Sequence, residues 1–500
     1  MTKPLHLVAW GALLLTACAP RPPHEPRNPT EDKVNTQTVD PLGPKPQLAA
    51  PTPYRAPKPV IYKTAEGLEV WLVERPDLPI LSLCLSLNVG AASDPPGKAG
   101  LHYISNSMLD EGAGSRNALE ISSALDDLGA QLSGNTTTDG SRMGLTVLQK
   151  NLPQAFAIFA DIVARPRFEE SEWQRVTELW KNGLKRRADN PAAVAQIVTR
   201  SVLYGERSPY GHPITGSEAT AKVITLQDAK ASYRDTWRPS RARLIVAGAI
   251  SRSALSALIT EHLSTWRDPE PGTEPSETGG DQAAPVAKRP KLVFVERPGA
   301  PQSVVTIVGP GIKADDPAAP LLDLVNTALG GSFTSRLNQN LREKHGWTYG
   351  ASSGFTETRG VGAFLVRSSV FSKVTAQAVE QMHLELKKMR EEGLTQDELS
   401  KVRARDLTDM IQTHETVQGL VGRLATLSAL GMPPDADAKA SDARQRSDKA
   451  QLDALAKQHL DAGEMTVIIV GPAEVADQLD TLQLGKAERW SADGKPLDTP

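Results

Sequence analysis

The chain has 500 residues, a formal net charge of −3, 39% hydrophobic and 23% charged residues. That length exceeds what a single core organises, so two or more domains are expected. Near-neutral charge and only 5% aromatic residues give neither the basic face nor the stacking surface of a nucleic-acid binder.

Residues 1–18 read as a leader. Lys3 supplies a short positive region and Leu7 to Leu15 an apolar one. Leu15-Thr16-Ala17-Cys18 then resembles a bacterial lipobox, which makes Cys18 the lipid-carrying mature N-terminus and predicts a membrane anchor; the alternative is an ordinary signal peptide with a chance cysteine. Ala19 gives no inner-membrane retention signal of the Asp type, and resemblance to enteric lipoproteins points to the outer membrane, facing the periplasm. No other apolar run approaches the ~20 residues that span a bilayer. With Cys18 lipidated, Cys84 has no disulfide partner and reads as an inert strand residue.

Residues 19–58 are proline-rich without apolar periodicity and read as a tether. A first domain follows over 59–266. Leu68 to Glu74 and Leu81 to Val89 are predicted strands, the second with leucines on one face and Ser82, Cys84, Ser86 and Asn88 on a face expected to meet a more polar space. Helices are expected from about Gly100 to Leu109, Ala118 to Leu128, Leu152 to Val163, Glu169 to Arg187 and Leu226 to Thr236. Strands are expected at Met143 to Leu148 and Arg243 to Gly248. Pro191 is read as a stop for the long charged helix.

Residues 267–290 form a second linker rich in Pro, Gly, Glu and Ser, and a second domain over 291–485 repeats the pattern, leaving 486–500 as a tail. Strands are expected at Lys291 to Val295, Ser303 to Val308, Ala363 to Val366 and Met465 to Gly471. Helices are expected at Leu321 to Leu329, Val374 to Glu392 and Gln396 to Thr413. Both halves close on a strand ending in glycine, Leu244 to Gly248 and Val467 to Gly471, which suggests a duplication. The order fits α+β units with mixed sheets.

Leu329-Gly330-Gly331-Ser332-Phe333-Thr334-Ser335-Arg336-Leu337, followed by Leu341-Arg342-Glu343-Lys344-His345-Gly346-Trp347-Thr348-Tyr349, resembles the second-half signature of the pitrilysin/insulinase (M16-like) zinc peptidases. The resemblance covers roughly residues 60 to 480. It implies an α+β fold of two tandem homologous domains, each a mixed sheet with helices packed on one face, forming half of a clamshell chamber. Catalytic relatives carry His-x-x-Glu-His on the helix after the second strand and a distal glutamate ligand; helical spacing places such ligands on one face and leaves an open zinc position. Here Tyr103 and Ser107 stand at the histidine positions, Asn106 at the glutamate position and Gly183 at the distal one, with Glu178 the nearest glutamate. The site is degenerate, and no zinc is expected on this chain.

Arg342 and Tyr349 match an Arg/Tyr pair that, in two-subunit relatives, faces the partner's zinc site. A guanidinium and a phenol can hold a substrate carbonyl and stabilise its oxyanion. The resemblance therefore implies a non-catalytic subunit of a heterodimeric peptidase, with Arg342 and Tyr349 as a clamp acting in trans, Gly330, Gly331 and Ser332 near the substrate, and zinc in a partner carrying His-x-x-Glu-His. Peptides or unfolded segments are the expected substrates. For isolated residues the plainer readings are a surface ion pair for Arg342, a core phenol for Tyr349 and a helix cap for the glycines. The strand at Leu81 to Val89 is a further candidate for pairing with an extended peptide.

Other chemistry finds less support. His414-Glu415-Thr416-Val417-Gln418 lacks the second histidine of a zinc motif, His102 and His212 are scattered, and neither a Gly-x-Ser-x-Gly elbow nor a phosphate-binding Gly-x-x-x-x-Gly-Lys loop occurs. The alternatives are a scaffold protein of a membrane complex and a self-sufficient enzyme with a different metal site.

Overall fold

Two six-stranded mixed sheets organise the chain. The computed structural model describes residues 54–268 and 283–497. Cys18 with the 1–18 leader, nearly all of the 19–58 tether and the centre of the 267–290 linker lie outside the described residues.

The first sheet runs in the order β1 (Val60–Lys63), β2 (Glu69–Glu74), β6 (Ala242–Gly248), β3 (Ile80–Leu87), β5 (Ser141–Leu148) and β4 (Gln131–Thr136). The second runs β12 (Glu488–Arg489), β7 (Leu292–Glu296), β11 (Thr466–Gly471), β8 (Gln302–Pro310), β10 (Ala363–Phe371) and β9 (Ala351–Phe355). From the second strand onward the two orders correspond. β2 and β6 pair in parallel, as do β7 and β11, and every other corresponding pair is antiparallel. The duplication suggested by the two glycine-ended strands is thus visible in the pairing of five strands. The halves differ at one edge, where the first adds the hairpin strand β1 and the second adds β12 from the C-terminus. Residues 488–497 are accordingly no loose tail: β12 pairs with β7 and Trp490 is buried.

Each half has its own core. In the first, the leucines of β3 meet α1 (Leu101–Asn106), α2 (Ala118–Asp127), α3 (Leu152–Ala164), α4 (Glu170–Ala188), α6 (Leu226–Thr236) and α7 (Arg252–Leu263). In the second, β8 and β10 meet α8 (Ala319–Asn326), α9 (Thr375–Glu392), α10 (Gln396–Glu415) and α13 (Lys449–His459).

The opposite sheet faces are covered by exchange. α11 (Val417–Ala429), from the second half, lays Val417, Leu420, Val421 and Leu424 on Trp71, Val73, Cys84, Ile245 and Ala247 of the first sheet. α5 (Pro191–Tyr204), from the first half, lays Val194, Val198 and Val202 on Val293, Val308, Ile468 and Val470 of the second. This corrects the expected polar surroundings of Ser82, Cys84 and Ser86. All three are buried, Ser86 Oγ donates to the Ala425 carbonyl at 3.2 Å, and burial pushes the Cys84 thiol up to about 12. Burial of each aliphatic side chain in such contacts contributes about 1.5–3 kcal/mol, so the two halves are bound by two apolar layers.

The long charged helix α4 ends at Ala188, as expected before Pro191, and Pro191 itself opens α5. Asn190 caps α5 by accepting from the amides of Ala192 and Ala193, and proline at the first helical position needs no hydrogen bond.

Candidate functional site

The positions that the resemblance reads as a degenerate zinc site lie on or just past α1, and on α4. α1 begins at Gly100, whose φ of +94° and close approach to Gly216 leave no room for a side chain. The buried Asp94 carboxylate accepts from the Gly100 amide at 2.6 Å and the His102 amide at 2.9 Å, and lies 2.6 Å from His102 Nδ1. His102 is thereby a lock on the helix start. The helix ends at Asn106, so Tyr103 and Ser107 lie at its last turn, and the Ser107 hydroxyl donates back to the Tyr103 carbonyl at 2.9 Å. Tyr103 packs on the core, Asn106 is buried with Oδ1 unpartnered, and Gly183 offers no donor while Glu178 is exposed. A phenol on the core, an amide and a hydroxyl do not make a zinc donor set. Among the described residues no group of three or more His, Cys, Asp or Glu side chains could hold a metal.

His414 also has a structural partner. It is buried, its Nδ1 contacts the Met410 carbonyl at 2.8 Å and its Nε2 lies 3.3 Å from Asp437 Oδ2. Arg423 bridges Asp437 and Glu357. Burial pushes the Asp437 carboxyl up, but hydrogen bonds from His414 and Arg423 outweigh it and hold the group well below the usual carboxylate range. This cluster ties α10, α11 and α12 (Ala436–Arg446) together.

The glycine-rich motif follows α8 through two π-helical turns, Thr327–Gly331 and Gln339–Lys344. Such turns are rare and often mark functional sites. The motif is stitched down on all sides. Arg336 makes two 2.7 Å bonds to the Glu398 carboxylate and one to the Gly393 carbonyl. Asn338 accepts from the Ala351 amide at 2.9 Å, and Asn326 donates to the Ser353 carbonyl at 3.0 Å. A Cβ on Gly330 would lie 2.5 Å from the Ser353 nitrogen. Gly330 therefore packs the motif against the outer edge of β9. Gly331 and Ser332, at the end of the first π turn, are more open, and Asn338 donates to the Ser332 carbonyl at 3.1 Å.

On this rigid base Arg342 and Tyr349 project. Arg342 lies over the Phe333 ring, 4.1 Å from its centroid, with Nη1 buried and unpartnered and Nε 3.6 Å from Glu343. Its side chain is 33% exposed, Phe333 is 65% exposed and Tyr349 is 88% exposed. Tyr349 is therefore no core phenol, and among the described residues no hydrogen bond or ring contact joins it to Arg342. Gly346, at φ +64°, ends the second π turn by donating to the Arg342 carbonyl at 3.0 Å, which redirects the chain toward Tyr349. Phe333 was not singled out from sequence; its place nine residues before an arginine carries no periodic signal.

The available sheet edge is elsewhere than expected. The Leu81 to Val89 strand is β3, which is central and cannot receive a peptide. The β9 edge is occupied by the motif itself. β4 is the other inner edge, with Gln131, Ser133, Gly134 and Asn135 exposed, and beyond β5 no described strand pairs with it.

Residues 70–203 match the family "Insulinase (Peptidase family M16)" and residues 224–405 match "Peptidase M16 inactive domain", together well over half the chain. An uncharacterized zinc protease of Streptomyces coelicolor is 24% identical over 67% of this chain and 72% of its own. The uncharacterized zinc protease YmxG of Bacillus subtilis is 22% identical over 68% and 80%. A Pseudomonas fluorescens structure described as a peptidase M16 inactive domain superposes with a TM-score of 0.75 at 25% identity, covering 83% of this chain and 98% of that one. The periplasmic protease PqqL of Escherichia coli superposes with a TM-score of 0.69 at 16% identity, over 86% of this chain but 48% of PqqL.

Proposed function

The chain belongs to the M16 (insulinase) peptidase family, and we propose that it is a non-catalytic, substrate-binding subunit that completes the active site of a zinc-bearing M16 partner. The observation that carries this reading is Arg342 stacked on the exposed Phe333, with the exposed Tyr349 seven residues further on, held on a heavily bonded motif in a chain where the resemblance puts Tyr103, Asn106, Ser107 and Gly183 at the zinc positions. A clamp built to present a cation and a phenol is useful to peptide hydrolysis only where another chain brings metal and base. That the fold spans about half of PqqL is consistent with a chain that supplies one half of a chamber.

In this reading an extended peptide lies between the subunits. Arg342 and Tyr349 donate to a substrate carbonyl and stabilise the negative charge that develops on its oxygen. The Phe333 ring holds the guanidinium before substrate arrives, so little side-chain freedom is lost on binding. The exposed β4 edge offers main-chain pairing to the same peptide. Lipidation at Cys18 would hold the complex to the envelope membrane, on its periplasmic face.

The test is purification of the tagged chain from its own solubilised membranes, with zinc content and peptide cleavage measured with and without chelator. Chelator-sensitive cleavage that Arg342→Ala removes, with the co-purifying subunit still bound, supports the shared site. A stable complex with neither zinc nor cleavage contradicts it and supports a scaffold role.

A further inference from the structure

A cleft of about 370 Å³ opens between the two halves, where the turn joining β4 to β5 meets α11 and the turn at Glu357 and Thr358. Ile214, Ala425, Ala429 and Leu430 give it an apolar wall. Two carboxylates border it and both are engaged. Asp139 accepts from the Tyr210 hydroxyl at 2.8 Å and lies 3.6 Å from Arg359, while Glu357 pairs with Arg423 at 2.8 Å. Arg142 is the one cation of the lining. Its side chain has no hydrogen bond, ion pair or ring contact among the described residues. Thr136 also borders the cleft, but its pairing with Ser141 puts its side chain on the sheet face opposite Arg142, where its Oγ1 is buried.

An unneutralised guanidinium beside an apolar wall is an unfinished site. The arginine fork is shaped for two parallel bonds to a carboxylate. We infer that this cleft binds a carboxylate bearing a small apolar group, as at the C-terminus of a short peptide, with Arg142 as its anchor. Ala425, Ala429 and Leu430 then take a methyl or isopropyl side chain. One free positive charge selects a monoanion, and a cleft of this size takes one or two residues. Gly140 keeps the rim in place: a Cβ there would lie 2.5 Å from Ala429 Cβ. The site extends beyond the shared-active-site reading and needs no partner chain.

The test is calorimetric titration of the isolated full chain with acetyl-Ala-Ala-Ala, its C-terminal amide, and isobutyrate. The peptide acid binds and the amide binds at least about tenfold more weakly, as loss of one charge-assisted bidentate pair requires. Arg142→Gln reproduces that loss, Arg142→Lys keeps part of the affinity, and Leu430→Trp abolishes binding by filling the cleft. Binding of isobutyrate as tight as that of the peptide supports the carboxylate site and assigns its occupant to free acids. Equal affinity for acid and amide, or binding of neither, overturns the inference. The acid–amide comparison needs no variant, so it decides the matter even if Arg142→Gln fails to fold.

Discussion

The Arg342 guanidinium rests on the exposed Phe333 ring at 4.1 Å, so a residue outside the Arg/Tyr pair sets where the cation points. A cation–π contact of this exposed kind is worth about 0.5–1 kcal/mol. Phe333→Ala is expected to lower kcat/KM of the assembled peptidase by roughly two- to fivefold, and to leave melting temperature and partner binding unchanged. Phe333→Tyr, which keeps the ring, restores the rate. An unchanged rate in the alanine variant would show that the ring does not position Arg342.

Gly330 has a packing role that its place in the motif does not announce. Gly330→Ala drives a methyl group toward the Ser353 backbone and Leu337. Such overpacking costs about 1–3 kcal/mol, readable as a lower midpoint in denaturant titration. Gly354→Ala, on the same strand with open space around it, serves as the control.

The exchanged helices predict one cooperative unfolding unit. Leu424, 2% exposed, sits between α11 and the first sheet. Leu424→Ala is expected to destabilise by about 2–5 kcal/mol, and probes in either half should report the same midpoint. Two separated transitions in the unmodified chain would contradict this coupling.

Asp437 predicts the acid limb of the stability curve. Its folded pKa is depressed, so its contribution is fully present above the ordinary carboxylate value and is lost as pH falls through the depressed one. Asp437→Asn should cost on the order of 1.5–3 kcal/mol at neutral pH, and the gap between the two proteins should close as pH falls well below about 4. A gap independent of pH would remove the ionised carboxylate from the account.

The regular strands and the amphipathic helices were legible because each faces a core within its own half: α6 matches its expected limits, and β2, β5, β6 and β11 lie within about a residue or two of theirs. α5 and α11 were not. Their apolar faces match a sheet hundreds of residues away; Pro191 marks the end of α4 as expected but also opens α5, and His414, noticed only as a failed metal motif, is a buried brace. The same distance hid the fate of Cys84 and Ser86, whose face is polar in pattern and covered in fact. At the site, the motif marks Arg342 and Tyr349 as candidates but not their exposure, whereas Arg142 and Phe333 carry no spacing signal and become visible only when their surroundings are assembled.

The central claim is a shared active site. Its most direct measurement is peptide cleavage by this chain mixed with a zinc-bearing M16 partner, comparing the unmodified protein with Arg342→Ala at equal complex concentration. The account predicts cleavage that needs both chains, is abolished by chelator and falls by about 10²-fold or more in the variant, as for loss of an oxyanion donor. Full activity in the Arg342→Ala complex, or in the partner alone, would contradict it.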